Sequence, residues 1–178
     1  MATGQIVWKV LLPEAMPGIV AGLTIATVRG FLLNFGVYYA AREALGLPFA
    51  WSPAVAFLVR FNTIFGLTIA VTKDLPDVEG DKKENVKTFA TWLGTGKVAM
   101  ASIALLMLNY AAAIYLGFTQ PSQFNSALMV GGHLVLAGCL ISQATRLHMT
   151  GYSQQGIKNF YRFIWNLFYA EYALYPFI

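Results

Sequence analysis

TKDLPDVEGDKK, residues 72–83, interrupts a chain that is otherwise almost free of acids. The 178 residues hold eight Asp and Glu, and four of them (Asp74, Asp77, Glu79 and Asp81) fall in this stretch beside Lys73, Lys82 and Lys83. Long apolar runs lie on both sides. Such a charged stretch between apolar runs reads as a loop between two buried segments, and it fixes where the others must be sought.

The composition sets the class. Hydrophobic residues make up 57% of the chain and charged residues 11%, with a mean hydropathy of +0.58. A soluble domain carries about 25% charged residues, so the expectation is an integral membrane protein of one domain, residues 1–178. The net charge of +4 does not point to nucleic acid, because the cations sit at the ends of apolar runs and not among exposed aromatics. The lone Cys139 lies in an apolar run; it excludes an internal disulfide or thiolate zinc site and reads as a packing residue. The first 18 residues show neither a signal peptide nor a transit peptide.

A span needs about 20 mostly apolar residues, and five candidates meet that length: roughly 17–41, 53–73, 98–118, 126–145 and 160–178. The fold class expected is all-α, a multi-span transmembrane helical bundle. Its loops are charged unequally. Lys9, Lys73, Lys82, Lys83, Lys87, Lys97, Arg146 and Lys158 fall on one side, whereas Arg42, offset by Glu43, falls on the other. That bias puts the acidic loop on the cytoplasmic or equivalent side.

Within the loop, Asp74, Asp77 and Asp81 are spaced i, i+3, i+7, which on a helix sets them within about 60° of one another, with Glu79 on a different face. Pro76 is compatible with a first helical turn. Three carboxylates on one stripe repel unless a cation sits among them. Magnesium suits a few carboxylates shared with waters and substrate phosphates, and Lys73, Lys82 and Lys83 could hold phosphate oxygens as point charges. A solvated loop of mixed charge is the alternative reading of the same residues.

The stretch KDLPDVEGDKK resembles the second aspartate-rich motif of the UbiA-type intramembrane prenyltransferases, and TFATWLG (residues 88–94) is similar to the segment that trails it. TVRGFLLNFGVYYAAREALGLPF (27–49) and FYRFIWNLFYAEY (160–172) resemble the homogentisate branch of that family. The resemblance implies transfer of a polyprenyl group, solanesyl by the nearest likeness, from its diphosphate to homogentisate with loss of carbon dioxide, on the way to plastoquinone. The phytyl or geranylgeranyl donor is the near alternative. It also implies a nine-helix fold, Mg2+ as cofactor, and a multi-pass location in the plastid inner envelope.

Catalytic and metal-binding roles then fall to Asp74, Asp77 and Asp81 in an active-site loop over 74–97. Substrate contacts fall to Lys73 and Lys82; from their places in the spans Arg29, which reads otherwise as a structural snorkelling or paired residue, and Tyr161 and Trp165 join them as candidates. The partners implied are the two substrates and the lipid bilayer, with no nucleic acid and with homo-oligomer formation left open. The family's first motif, N-Q-x-x-D-x-x-x-D, is missing, and residues 1–16 form a divergent start. The chain therefore reads as the C-terminal portion of such an enzyme and is expected to be inactive alone. A non-catalytic membrane protein and a transporter using Arg29, His133 and Glu171 are readings from other classes.

In the last span Tyr161, Trp165, Phe168 and Tyr172 form one aromatic face, which is either packing or a lining for the prenyl chain. Arg162, Asn166 and Tyr169 form a polar stripe beside it, expected to face protein. Glu171 needs a partner within the membrane, and His133 reads as a hydrogen-bonded core residue.

The charge bias gives a topology that can be measured. Single cysteines at Glu84→Cys and Gln154→Cys in a Cys139→Ala background should label from one membrane face, and Ser122→Cys from the other. Labelling of 84 and 122 from the same side overturns the arrangement.

Overall fold

The computed structural model describes residues 20–178; the divergent start, Lys9 and the first residues of the predicted span at 17–41 lie outside them. The described chain is helical: α1 Val20–Ala44, then α2 Pro53–Thr72, α3 Val78–Lys83, α4 Phe89–Leu93, α5 Thr95–Thr119, α6 Ser126–Met149 and α7 Gln154–Leu174, closed by a 3-10 turn at Tyr175–Phe177. Helices α1, α2, α5 and α6 are long and apolar enough to cross a membrane.

The fifth predicted span is corrected. The last helix begins at Gln154 and ends at Leu174, and it does not reach the hydropathy of the other four. It is amphipathic instead. Ile157, Phe160, Ile164, Leu167 and Phe168 are buried along one face, and Lys158, Asn159, Arg162, Asn166 and Tyr169 are exposed. The 3.6-residue period sorts these two sets onto opposite sides.

Local chemistry sets the helix starts. Ser52 accepts from the Val55 N–H at 3.2 Å with Pro53 in the first turn of α2. Asn125 accepts from the Leu128 N–H at 3.3 Å, and Ser153 from the Gly156 N–H at 3.2 Å. Each side-chain oxygen satisfies a donor that the helix leaves free. The loops sort as their charges suggest. Phe124, between α5 and α6, packs edge-on to Phe57 in the first turns of α2, with ring centres 5.9 Å apart. At the other end, Gln154 Nε2 donates to the Pro76 carbonyl and ties the start of α7 to the acidic turn.

Helix α2 occupies the centre. Phe57, Phe61, Phe65 and Ile69 are buried along it. Phe61 meets Tyr110 of α5 at 5.8 Å and His133 of α6 at 5.6 Å, and Phe65 meets Phe168 of α7 at 5.5 Å. Asn109 Nδ2 donates to the Phe61 carbonyl at 3.2 Å, a buried polar tie between α5 and α2. Cys139, read from sequence as packing, is exposed; it stands on the outer side of α6 with Leu134 and Val135.

Helix α1 lies against α2 through small residues, as close-packed membrane helices do. A Cβ on Gly30 would stand 2.3 Å from Thr63 Cα, and one on Gly66 would stand 3.3 Å from Ala26 Cα. Over Ala26–Leu32 the helix widens to π geometry, the Leu33 N–H reaching back to the Val28 carbonyl. The Asn34 side chain donates to the Arg29 carbonyl at 3.0 Å and to the Gly30 carbonyl at 2.8 Å. It thereby serves two acceptors within the widened segment. Such stretches are rare and concentrate at functional positions.

The contact at Gly30 is against backbone, which cannot move aside cheaply. Gly30→Ala should destabilise the bundle by about 1–3 kcal/mol, whereas Gly36→Ala, on the same helix with open space around it, should be neutral or slightly stabilising. Thermal unfolding of both variants in one detergent checks this; equal effects overturn the close-packing account.

Candidate functional site

The acidic stretch is held by its apolar residues. Leu75 is fully buried and Val78 nearly so, and both belong to the main core. Asp77 and Glu79 are exposed, and Asp74 and Asp81 are half-buried. Alternation of polar and apolar side chains thus pins the turn to the end of the bundle with its carboxylates outward. The continuous aspartate stripe expected on one helix is corrected. Helix α2 ends at Thr72, residues 73–77 form turns, and only Val78–Lys83 is helical. Asp77 is the N-cap residue of that short helix, and Asp74 precedes it by one turn, the Asp77 N–H donating to the Asp74 carbonyl at 3.3 Å.

Downstream residues brace the turn. Asn85 takes a positive φ of 55° and closes α3, as asparagine often does. Thr88 caps α4 reciprocally with Thr91, and its hydroxyl donates to Asp81 Oδ2 at 3.5 Å. Sequence reading singled out neither Thr88 nor Gln154. The threonine ahead of an apolar helical run was a usable cap signal; Gln154, 78 residues from its partner, had none.

Lys73 Nζ lies 3.3 Å from Asp74 Oδ1. Burial nevertheless holds the Asp74 carboxyl above the ordinary carboxylate range; the Lys73 ammonium opposes this, and the charges of Asp81 and Asp77 add to it. Asp74 also stands in the wall of an apolar cleft of about 250 Å³ between α1, α2 and α5, with Leu23, Leu67, Val71 and Leu105 among its lining. A cation beside a partly desolvated carboxylate would lower the cost of ionising it.

Among the described residues no three His, Cys, Asp or Glu side chains converge to cage a metal. Magnesium does not require such a cage, since one or two carboxylates with substrate phosphates and waters suffice. The donor set at Asp74, Asp77 and Asp81 fits that shared mode and does not fit a closed protein site. Lys82 is exposed beside a second recess shared with Thr88, Thr91 and Trp92.

The other predicted contacts lie elsewhere. Arg29 is seven residues beyond Gly22, about 10 Å along α1, and its guanidinium sits over the Trp165 ring at 5.6 Å. Trp165 also meets Phe168 edge-on at 5.9 Å, and Tyr161 is half-buried on the same helix. Near the far end of this seam the Tyr172 hydroxyl donates to Asn34 Oδ1 at 3.2 Å. Arg29, Trp165, Asn34 and Tyr172 therefore form a seam between α1 and α7, and the lining of the Asp74 cleft includes none of them.

The partner of Glu171, which the sequence left open, is His133. Nε2 of the imidazole lies 3.4 Å from Glu171 Oε2, with both side chains buried. The Met129 carbonyl sits 2.5 Å from Nδ1, so the other ring nitrogen faces the carboxyl. This pair ties α6 to α7 inside an aromatic enclosure that includes Phe57, Phe61 and Tyr110.

Residues 18–167 match the family described as the UbiA prenyltransferase family. The chain is 55% identical to the homogentisate solanesyltransferase of Arabidopsis thaliana, over 90% of this chain and 42% of that protein. It is 54% identical, over the same shares, to the probable homogentisate phytyltransferase 2 of Oryza sativa subsp. japonica. A 2-acylphloroglucinol 4-prenyltransferase of Humulus lupulus is 50% identical over 82% of this chain and 36% of its own length. The chain thus spans less than half the length of these curated relatives. No solved structure matches it.

Asp74 gives a prediction with a defined sign. Its folded-state pKa is raised, so the protonated carboxyl contributes stability below the unfolded value, and that contribution is lost as pH rises through the folded one. Asp74→Asn should therefore be more stable than the unsubstituted chain at neutral pH without metal, and the difference should shrink on acidification. Thermal unfolding at neutral and acidic pH measures it. A less stable variant at neutral pH would show that the Lys73 ion pair outweighs burial.

Proposed function

The chain belongs to the UbiA prenyltransferase family, and on that premise we propose that it forms the second-acidic-motif side of an aromatic prenyltransferase site in a plastid membrane. The donor is a polyprenyl diphosphate, solanesyl as the first reading, and the acceptor is homogentisate, which loses its carboxyl group as carbon dioxide. The observation that carries the reading is Asp74, half-buried at the mouth of an apolar cleft with Asp77 and Asp81 in the turns that follow.

Each part of the substrate meets a matching environment. The acidic turn takes the diphosphate end, and Asp74, Asp77 and Asp81 would hold magnesium between the chain and the phosphates. The metal, when bound, neutralises the charge on the leaving group. Lys73, which pairs with Asp74, and the exposed Lys82 would offer their ammonium groups to phosphate oxygens. Leu23, Leu67, Val71 and Leu105 exclude water from the allylic end of the chain, which protects an electrophile that water would quench. The remaining ligands and the acceptor pocket fall to the portion of the relatives that lies outside the matched 42%.

Identities of 55% and 54% to proteins named for different donors leave phytyl diphosphate as the second donor, and the Humulus relative supports a phenolic acceptor in either case. The test uses membranes of a host without the pathway, carrying this chain fused behind the N-terminal portion of the Arabidopsis relative. Homogentisate, magnesium and either diphosphate are supplied. Asp77→Asn keeps size and removes charge, and should lower turnover by about 10²-fold or more, whereas Glu79→Gln should change it little. Near-normal activity of Asp77→Asn overturns the assignment, and the better donor decides between solanesyl and phytyl.

A further inference from the structure

Between the last turns of α6 and the first turns of α7 lies a cleft of about 590 Å³ whose walls include Gln143, Arg146, Asn159, Arg162 and Asn166. It opens on the same end of the bundle as the acidic turn, next to the Gln154–Pro76 tie, yet it shares no lining residue with the Asp74 cleft. Two guanidiniums and three carboxamides line it, and among the described residues no carboxylate does.

The sequence makes that imbalance severe. From Asn85 to Ala170 there is no Asp or Glu at all, so neither α6 nor the first four turns of α7 can supply a counter-charge. Glu171, the one acid on α7, is buried against His133. Arg162 stands eight residues into α7, about 12 Å along its axis from Gln154, in a helix packed against membrane-crossing neighbours. Two like charges that line one cleft repel each other unless an anion lies between them. Arginine offers paired N–H donors that match a phosphate, and the carboxamides of Gln143, Asn159 and Asn166 can donate to its remaining oxygens.

We propose that the α6–α7 cleft is an anion site that binds a phosphate group through Arg146 and Arg162. Basic pockets between membrane helices at this face commonly take lipid headgroups; a free phosphate has the same chemistry, and the experiment separates the two sources. The site is independent of prenyl transfer, and neither arginine belongs to the catalytic machinery described above.

The test uses the 178-residue chain in nanodiscs containing phosphatidylglycerol and phosphatidylcholine with the same acyl chains. Lipids retained after extraction are read by native mass spectrometry. Phosphatidylglycerol should be retained in preference, and Arg146→Gln or Arg162→Gln should lower the preference about fivefold each. Lys97→Gln, which removes a cation outside the cleft, should leave it unchanged. Arg162→Lys keeps the charge and should retain most of the preference, which separates loss of binding from loss of fold. In a second arm, inorganic phosphate is titrated against thermal unfolding in a phosphate-free zwitterionic detergent. A stabilisation that needs both arginines, without lipid preference, identifies a soluble anion as the occupant and upholds the site. Equal retention of both lipids together with no phosphate response overturns the proposal, as does binding insensitive to both arginine substitutions.

Discussion

The bundle depends on the column of aromatic rings along α2. Phe57, Phe61 and Phe65 are buried along that helix; Phe57 meets the α5–α6 loop and α6, Phe61 meets α5 and α6, and Phe65 meets α7. Apolar packing gains little between helices that could equally face lipid, so shape and polar ties carry the specificity. Here they take the form of Asn109 on the Phe61 carbonyl and of His133 on Glu171. Remove the column, and both polar pairs lose the dry setting that makes them specific.

That arrangement positions the acidic turn. Helix α2 ends at Thr72 because the residues after it are charged and Pro76 follows, but Leu75 and Val78 still reach into the core. The turn is therefore anchored and not a free loop. Asp74 stands half-buried in the wall of the apolar cleft between α1, α2 and α5. The same end of the bundle also holds the arginine cleft, so opposite charges lie at neighbouring but separate openings.

Much of this was legible in sequence. Four apolar spans, the turn between α5 and α6 and the shared side of the loops follow from hydropathy and charge, because hydrocarbon admits only segments that satisfy their own backbone. The last helix was read as a fifth span because its aromatics dominate it; its bounds and polar face became clear only when the neighbouring helices showed which side was covered. Cys139 was misread for the same reason, since an apolar residue in a span can face protein or lipid and hydropathy does not distinguish them. The aspartate spacing was read on an ideal helix, and the turn geometry at residues 73–77 broke that ideal while keeping the three residues at one end.

The sequence alone determined the class of solvent this protein lives in, the places of its four strongly apolar helices and the place where its charge is concentrated, since these depend on composition and local order along the chain. Only the tertiary structure decided that Glu171 pairs with His133, that Gln154 holds Pro76, that Gly30 lets α1 touch α2 and that Arg146 and Arg162 share a cleft. Those contacts join residues on different helices. Their distances depend on how whole helices pack, and no period or motif within one segment encodes that.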